Sequence, residues 1–387
     1  MSSGSPVALS VTLCRDSRQF AALEGPWNRL VRSCATATPF QSHAWLHSWW
    51  LSYGKDGRLR IVLVRRGEAL VGAAALMLVH RPLPLLVPLG GAITDYFDVL
   101  VAAEYADEVV PALARGLHRA ARGAVVDLRE VRPGAAAEGL YGQWPGVRSR
   151  LTDSTCMELP ALPFDELVKR MPSSGGQRVR AKLRRAEAAG IKEREVTEQE
   201  VPRAVRTLLR LHEKQWRGRG VTPEHLRPRF AEHLTRATRR MVRAGEGRLT
   251  EFRLDGKVVA ANVTLLSAAL SGGYLYGADP ELRTRKVDVA TLMLRHEAGR
   301  ALAEGRPVVS FLRGDEPYKN HWRPETVVNQ RFLLATTALA PLLRLHESQV
   351  TGRERAVDAL REALPAARDW RARLNELRVR EPFRSQH

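Results

Sequence analysis

The chain reads as an α/β protein assembled from two copies of one layered unit, each a mixed, mainly antiparallel sheet flanked by helices, followed by a helical extension. Three observations predict it. The order helix, helix, hairpin, strand, helix, strand runs from residue 16 to 128 and recurs from 201 to 335, although the two stretches share little residue identity. Each copy carries a turn signal between two apolar runs, Gly67-Glu68 in one and Asp255-Gly256-Lys257 in the other. The length of 387 residues makes two domains of ~150 residues with a remainder.

In the first copy, Asp16 or Ser17 caps a helix whose apolar residues Phe20, Leu23, Trp27, Leu30 and Val31 return at helical steps. A short helix over 42–53 carries Trp45, Trp49 and Trp50, whose spacing marks them as core. Residues 58–66 alternate apolar and polar, 69–79 form a more buried strand, and together they make a hairpin. Past a Pro-rich crossing come a strand over 96–101, a helix from about 104 to 122 and a strand over 124–128. The run Leu-Pro-Ala-Leu-Pro over 159–163 breaks the pattern. It divides the chain into units 1–160 and 161–338, with 339–387 as the extension. The second unit opens on a basic helix over 177–189 with Arg178, Arg180, Lys182, Arg184 and Arg185. Helices over 201–217 and 228–244, a hairpin of 248–254 with 258–267, a strand over 272–277, a helix from about 288 to 304 and a strand over 308–312 follow. A last strand, 327–335, closes the unit, and the charged periodicity of 339–379 reads as one or two helices packed on it.

With 44% hydrophobic and 27% charged residues the chain buries a real core and is not a disordered or fibrous sequence. A net charge of +19 creates a field that draws phosphorylated small molecules, RNA or an anionic membrane surface. The three cysteines, Cys14, Cys34 and Cys156, are odd in number and form no C-x-x-C pair, which argues against a disulfide framework or structural zinc. The histidines follow no metal-ligand spacing, so no metal is implied. No secretory leader is legible in residues 1–10, and the apolar stretches 69–79 and 83–93 are separated by His80, Arg81 and Pro82 before either reaches the ~20 residues of a span. A cytoplasmic protein without a membrane span is the expectation. Nucleophile-elbow and Walker motifs are absent.

Three segments carry a family resemblance. Residues 39–50, Pro-Phe-Gln-Ser-His-Ala-Trp-Leu-His-Ser-Trp-Trp, resemble the opening motif of the CelD/BioF-like acetyltransferases of the GNAT superfamily. Asp255-Gly256-Lys257-Val258-Val259-Ala260-Ala261-Asn262 is similar to their central hairpin. Phe311-Leu312-Arg313-Gly314-Asp315-Glu316-Pro317-Tyr318-Lys319 with Trp322 is close to their F-L-R-G-D-E-x-Y-K-x-x-W signature. The resemblance covers roughly residues 23–335. It implies tandem GNAT-like domains, as in the related FemABX aminoacyltransferases, and acyl transfer from acyl-CoA or acetyl-CoA to an amine or hydroxyl of a small-molecule, sugar or peptide acceptor. The FemABX relatives use an aminoacyl-tRNA donor, and a non-catalytic GNAT-fold binding module is a third reading. The usual Q/R-x-x-G-x-G/A turn for the CoA pyrophosphate has no counterpart in residues 281–290, which hold no glycine. Arg283, Arg285 and Lys286 offer side-chain contacts in its place, while Asp288 at the helix start opposes an anion.

In this fold the strands over 272–277 and 308–312 splay apart around the acyl group. The resemblance therefore assigns Asp315 or Glu316 as base, Tyr318 as acid toward the leaving group, and Lys319 to the same cleft; capping by Asp315 and a Lys319–Glu316 ion pair are the alternative. A backbone N–H near Tyr276, Gly277 and Ala278 would polarise the carbonyl. Candidate acceptor contacts are Asp95, Tyr96, Trp216, Asn262, Tyr274 and Trp322. For these, turn capping by Asp95, a core role for Trp216, and a buried-amide role for Asn262 stand beside the functional reading. By the two-residue period, Tyr274 and Tyr276 share one strand face. The basic helix over 177–189 is either a solvated face or a tRNA contact.

Overall fold

The computed structural model describes residues 8–80, 82–217, 222–314 and 317–363. The first half runs β1 (Leu9–Cys14), α1 (Ser17–Ala22), α2 (Glu24–Ser33), α3 (His43–Tyr53), β2 (Leu59–Arg66), β3 (Ala69–His80), β4 (Pro84–Pro88), β5 (Leu100–Val101), α4 (Ala106–Ala120), β6 (Val125–Val131), α5 (Ala136–Gly142) and β7 (Val147–Pro160). The second runs α6 (Phe164–Lys169), α7 (Ser173–Ala188), β8 (Lys192–Glu195), α8 (Val201–Trp216), α9 (Pro228–Ala244), β9 (Gly247–Leu254), β10 (Lys257–Leu266), β11 (Ser271–Ala278), α10 (Glu281–Thr284), α11 (Val289–Ala303), β12 (Val308–Arg313), α12 (Pro317–Asn320), β13 (Glu325–Ala335) and α13 (Ala340–Ala363).

Local chemistry sets the helix starts. Asp16 accepts from the Gln19 amide at 2.8 Å and Ser42 from the Trp45 amide at 3.2 Å, each satisfying an orphan donor of the first turn. At its far end α9 stops on Gly245, whose φ of 71° is the left-handed cap that glycine adopts without strain. The expected tryptophans Trp45, Trp49 and Trp50 are buried with Trp27, Phe20 and Phe40 in the largest hydrophobic cluster, which runs through both halves.

The sheet is continuous through both copies, in the order β1-β2-β3-β4-β6-β13-β7-β12-β11-β10-β9-β8, with β5 beside β3. Its centre differs from the sequence expectation. The last strand, β13, does not close the second copy; it lies between β6 and β7, pairing antiparallel with both, while β7 pairs with β12. The two halves thus exchange their closing strands. Strand β7 went unread because its pattern, Val-Arg-Ser-Arg-Leu-Thr-Asp-Ser-Thr-Cys-Met-Glu-Leu-Pro, gives no apolar run until its C-terminal part. Other differences are smaller. The strand expected over 96–101 contracts to β5 plus a bridge between Phe97 and Val131, the Pro-rich crossing contains β4, and the first helix divides at Leu23.

Helices α3 and α9 clasp the halves together. Arg240 donates to His43 Nδ1 at 2.9 Å and His47 Nδ1 at 3.1 Å and pairs with Glu24 at 2.9 Å, while Arg236 donates to the Ser48 carbonyl at 3.1 Å. Burial and the neighbouring guanidinium hold His43 and His47 down to about 4, so both stay neutral at physiological pH. Among the described residues no helix is long and apolar enough to cross a membrane, and no cluster of side chains suits a metal ion.

Candidate active site

Strands β11 and β12 run parallel but pair only at Ser271↔Val309 and Gly272↔Ser310, after which they diverge. The divergence bares one edge of β11, and its backbone groups need other partners. Helix α8 supplies them. His212 Nδ1 donates to the Tyr276 carbonyl at 2.7 Å, and Gln215 Oε1 accepts from the Ala278 amide at 2.9 Å. Contact this close requires glycine at 277, where a Cβ would lie 2.6 Å from the Leu208 carbonyl oxygen. The Ala278 N–H, expected to polarise an acyl carbonyl, is therefore engaged by Gln215.

A bulge changes the face that Tyr274 presents. Leu275 faces Val263 and Gly273 faces Thr264, leaving Tyr274 as the extra residue. Tyr274 consequently packs with Phe40 and Trp45 in the cluster shared with the first half, whereas Tyr276 joins the cluster around α11. This corrects the expectation that the two tyrosines share a face.

Across the opening, β12 leaves the sheet through Leu312, at φ 56°, and Gly314, at φ 112°. Arg313 turns toward the first half. It donates to Glu130 Oε1 at 2.8 Å, pairs with Asp95 Oδ1 at 3.0 Å and donates to the Ala92 carbonyl at 2.5 Å. Tyr274 donates its hydroxyl to the Ile93 carbonyl at 3.0 Å, and Asn329 donates to the Asp95 carbonyl at 3.1 Å. The turn 92–95 of the first half is thereby fixed as a wall of the second half's opening. Burial pushes the Asp95 carboxyl up, against the opposing pull of Arg313. Buried Lys319 donates to the carbonyls of Arg313 at 3.0 Å and Gly314 at 3.2 Å, bracing the turn that carries the signature. Glu130 also accepts from Ser154 and, at 3.1 Å, from Asn329.

The structure thus gathers Asp95, Tyr274 and Lys319 around one opening, leaves Tyr276 there by its backbone carbonyl alone, and places four candidates elsewhere. Tyr96 is fully buried: its hydroxyl donates to Glu158 at 2.7 Å and lies 3.2 Å from Ser310, so it ties β7 to β12 and lines no groove. Trp322 is core, edge-on to Phe164 at 5.5 Å. Asn262 donates to Glu297 and Thr264 at 3.1 Å each, beneath α11. Trp216 is half-buried at the end of α8, and its indole N–H is enclosed without a partner among the described residues. Asp315 and Glu316 lie outside the described residues, and Tyr318 is placed by its backbone alone, in α12. Sequence reasoning gave no role to Arg313 and Glu130: Arg313 stood inside the quoted signature, and Glu130 carries no local signal. His212 and Gln215 stood beside the candidate Trp216 on its helix.

Arg283, Arg285 and Lys286 are exposed on α10 and the turn after it, Lys286 at φ 55°. The start of α11 is already occupied: Asp288 accepts from the Thr291 amide and hydroxyl at 3.2 Å each and from Lys182 Nζ at 2.6 Å. A pyrophosphate directed to this helix end meets a carboxylate where a glycine turn would offer free N–H groups. The residues present do not fit that mode of CoA binding; Arg283, Arg285 and Lys286 offer side-chain cations for phosphate in its place.

Residues 173–320 match the family described as an acetyltransferase (GNAT) domain. The fold is similar to the crystal structure of FemX, with a TM-score of 0.61 at 13% identity over 87% of this chain and 99% of that one. It is also similar to a conserved protein of unknown function from Bacteroides thetaiotaomicron (TM-score 0.58, 12% identity, 84% and 100% covered) and to L-PGS from Bacillus licheniformis (0.52, 9%, 87% and 96%). No curated protein matches the chain by sequence.

Proposed function

We propose acyl transfer as the general chemistry, supported by the GNAT-type domain match over residues 173–320 and by the FemX-like fold. We propose that the chain is a CelD/BioF-like acyltransferase that moves an acyl group from an activated donor to an amine or hydroxyl of a small-molecule, sugar or peptide acceptor. The observation that carries this is the divergence of β11 from β12 after two residue pairs, with Arg313, Lys319 and the first half's Asp95 at its mouth. In this reading the donor carbonyl lies in the opening and Asp95 faces the acceptor ammonium, while Asp315 or Glu316 and Tyr318 handle protons at the signature turn. Acyl-CoA is the donor that the domain type favours. An aminoacyl-tRNA donor is the second reading, favoured by the Asp288 carboxylate seated at the start of α11 and by the net charge of +19.

Calorimetric titration with acetyl-CoA at two salt concentrations, followed by an assay with glucosamine and an amino acid amide as acceptors, tests it. Micromolar binding and N-acetylation support the first donor. No binding, with retention of aminoacyl-tRNA that falls steeply with salt, supports the second. Neither binding nor transfer with either donor overturns the acyltransferase reading.

A further inference from the structure

A chain of hydrogen bonds beside the opening has only one possible direction. It ends on the Tyr276 carbonyl, which can only accept, so the His212 nitrogen 2.7 Å away, Nδ1, carries the proton. His212 is buried, and burial lowers its basicity, so its ring is neutral and Nε2 is an acceptor. His225 Nδ1 lies 3.2 Å from that Nε2 and must therefore donate. A neutral His225 is then left with an unprotonated Nε2, which has no partner among the described residues.

His225 sits on the turn between α8 and α9, half-buried, with its ring stacked on Phe230 at 4.6 Å. Trp216, whose enclosed indole N–H lacks a partner, lies 6.3 Å from the His212 ring. The charged groups around the pair are Glu224 on the same turn, tied to Arg229 of α9 at 2.7 Å, and the Lys214–Asp279 pair at 3.0 Å, which joins α8 to the end of β11. Beta strand β11 contributes the Tyr276 carbonyl.

We propose that His225 Nε2, in place of Asp315 or Glu316, is the proton acceptor for the incoming amine or hydroxyl, with His212 behind it as a positioning residue. This rests on the acyltransferase reading. The acceptor reacts as the free amine: its nitrogen forms the bond to the acyl carbon, the now acidic N–H of the adduct gives its proton to His225 Nε2, the bond from that carbon to the donor's sulfur or oxygen breaks, and the leaving group takes up a proton from solvent. The imidazolium formed at His225 strengthens its N–H bond to His212, which in turn leans on the Tyr276 carbonyl. His225 then returns its proton to solvent. Since burial holds His225 near 4, the base is free at neutral pH and the acid limb of kcat attributable to it falls below about pH 5.

The test uses the full chain with whichever donor and amine give turnover. His225→Gln is expected to lower kcat about 100-fold with the donor KM unchanged, and added imidazole to restore at least part of the rate in His225→Gly. Nitrogen-15 NMR of the histidine rings supplies a readout that does not depend on activity: protonated Nδ1 and bare Nε2 are expected for both residues at pH 7. A proton on His225 Nε2, or an unchanged kcat in a folded His225→Gln, overturns the base role while leaving acyl transfer standing. Absence of transfer by the wild-type chain with either donor removes both.

Discussion

The two halves open their sheets at the same point and fill the openings differently. In the first, β4 meets β6 only at Leu85↔Val125 and Leu86↔Val126, as β11 meets β12 in the second. There the chain itself plugs the divergence. Phe97 donates its amide to the Glu130 carbonyl at 2.7 Å, Gln41 donates to the Tyr96 carbonyl at 2.8 Å, and Trp45 donates to Thr94 at 2.9 Å. Beside the plug, a void lined by Gln41, Thr94 and Phe97 measures about 10 Å³, at the lower limit for one water. In the second half the bared edge is met by two side chains of α8. A covalently inserted segment stabilises a fold, whereas side chains on a neighbouring helix can withdraw. The plug of the first half also delivers Asp95 to the second, so the closed copy serves as scaffold for the open one.

The largest effect should come from removing the plug. Phe97→Ala should cost about 3–5 kcal/mol by urea unfolding, and a loss below about 1 would mean that the first opening is not held by packing. Next, Arg313→Ala leaves Asp95 and Glu130 facing each other without their shared cation. A loss of about 2–3 kcal/mol is expected, less than for a fully buried pair because the arginine is 30% exposed.

Third is the pH dependence contributed by Asp98, beside the plug. Burial raises its carboxyl to about 6, above the ordinary value of 3.8. Its stabilising contribution is therefore fully present below pH 3.8 and lost as pH rises through about 6. Between pH 7 and 4 the wild type should gain about 2 kcal/mol relative to Asp98→Asn; parallel pH curves for the two would refute the assignment. The smallest effect belongs to the second opening, where Gln215→Ala should cost only about 1 kcal/mol. It should also tighten donor binding by freeing the Ala278 amide, and weaker binding would identify Gln215 as part of the donor site.

The repeated unit was legible because turn residues and helical periods are local: Asp255-Gly256, the Asp16 and Ser42 caps and the tryptophan spacing all act within a few residues. What was hidden depends on contacts distant in sequence. Tyr96 looked like a groove residue and is sealed by Glu158 and Ser310, 62 and 214 positions away. Tyr274 left its expected face because one inserted residue shifts the two-residue period. The role of Arg313 could not be read from its motif because both carboxylates it holds come from the other half.

The exchanged strands have a consequence for the birth of the molecule. Strand β6 finds its antiparallel neighbour only in β13, and β7 is flanked by β12 and β13. During synthesis, the first half must emerge with the edge of β6 unpaired until a partner some two hundred residues later leaves the ribosome. Pairings of such long separation are slow and expose strand edges meanwhile. A chain interrupted before residue 335 would therefore leave both halves unfinished rather than one half whole.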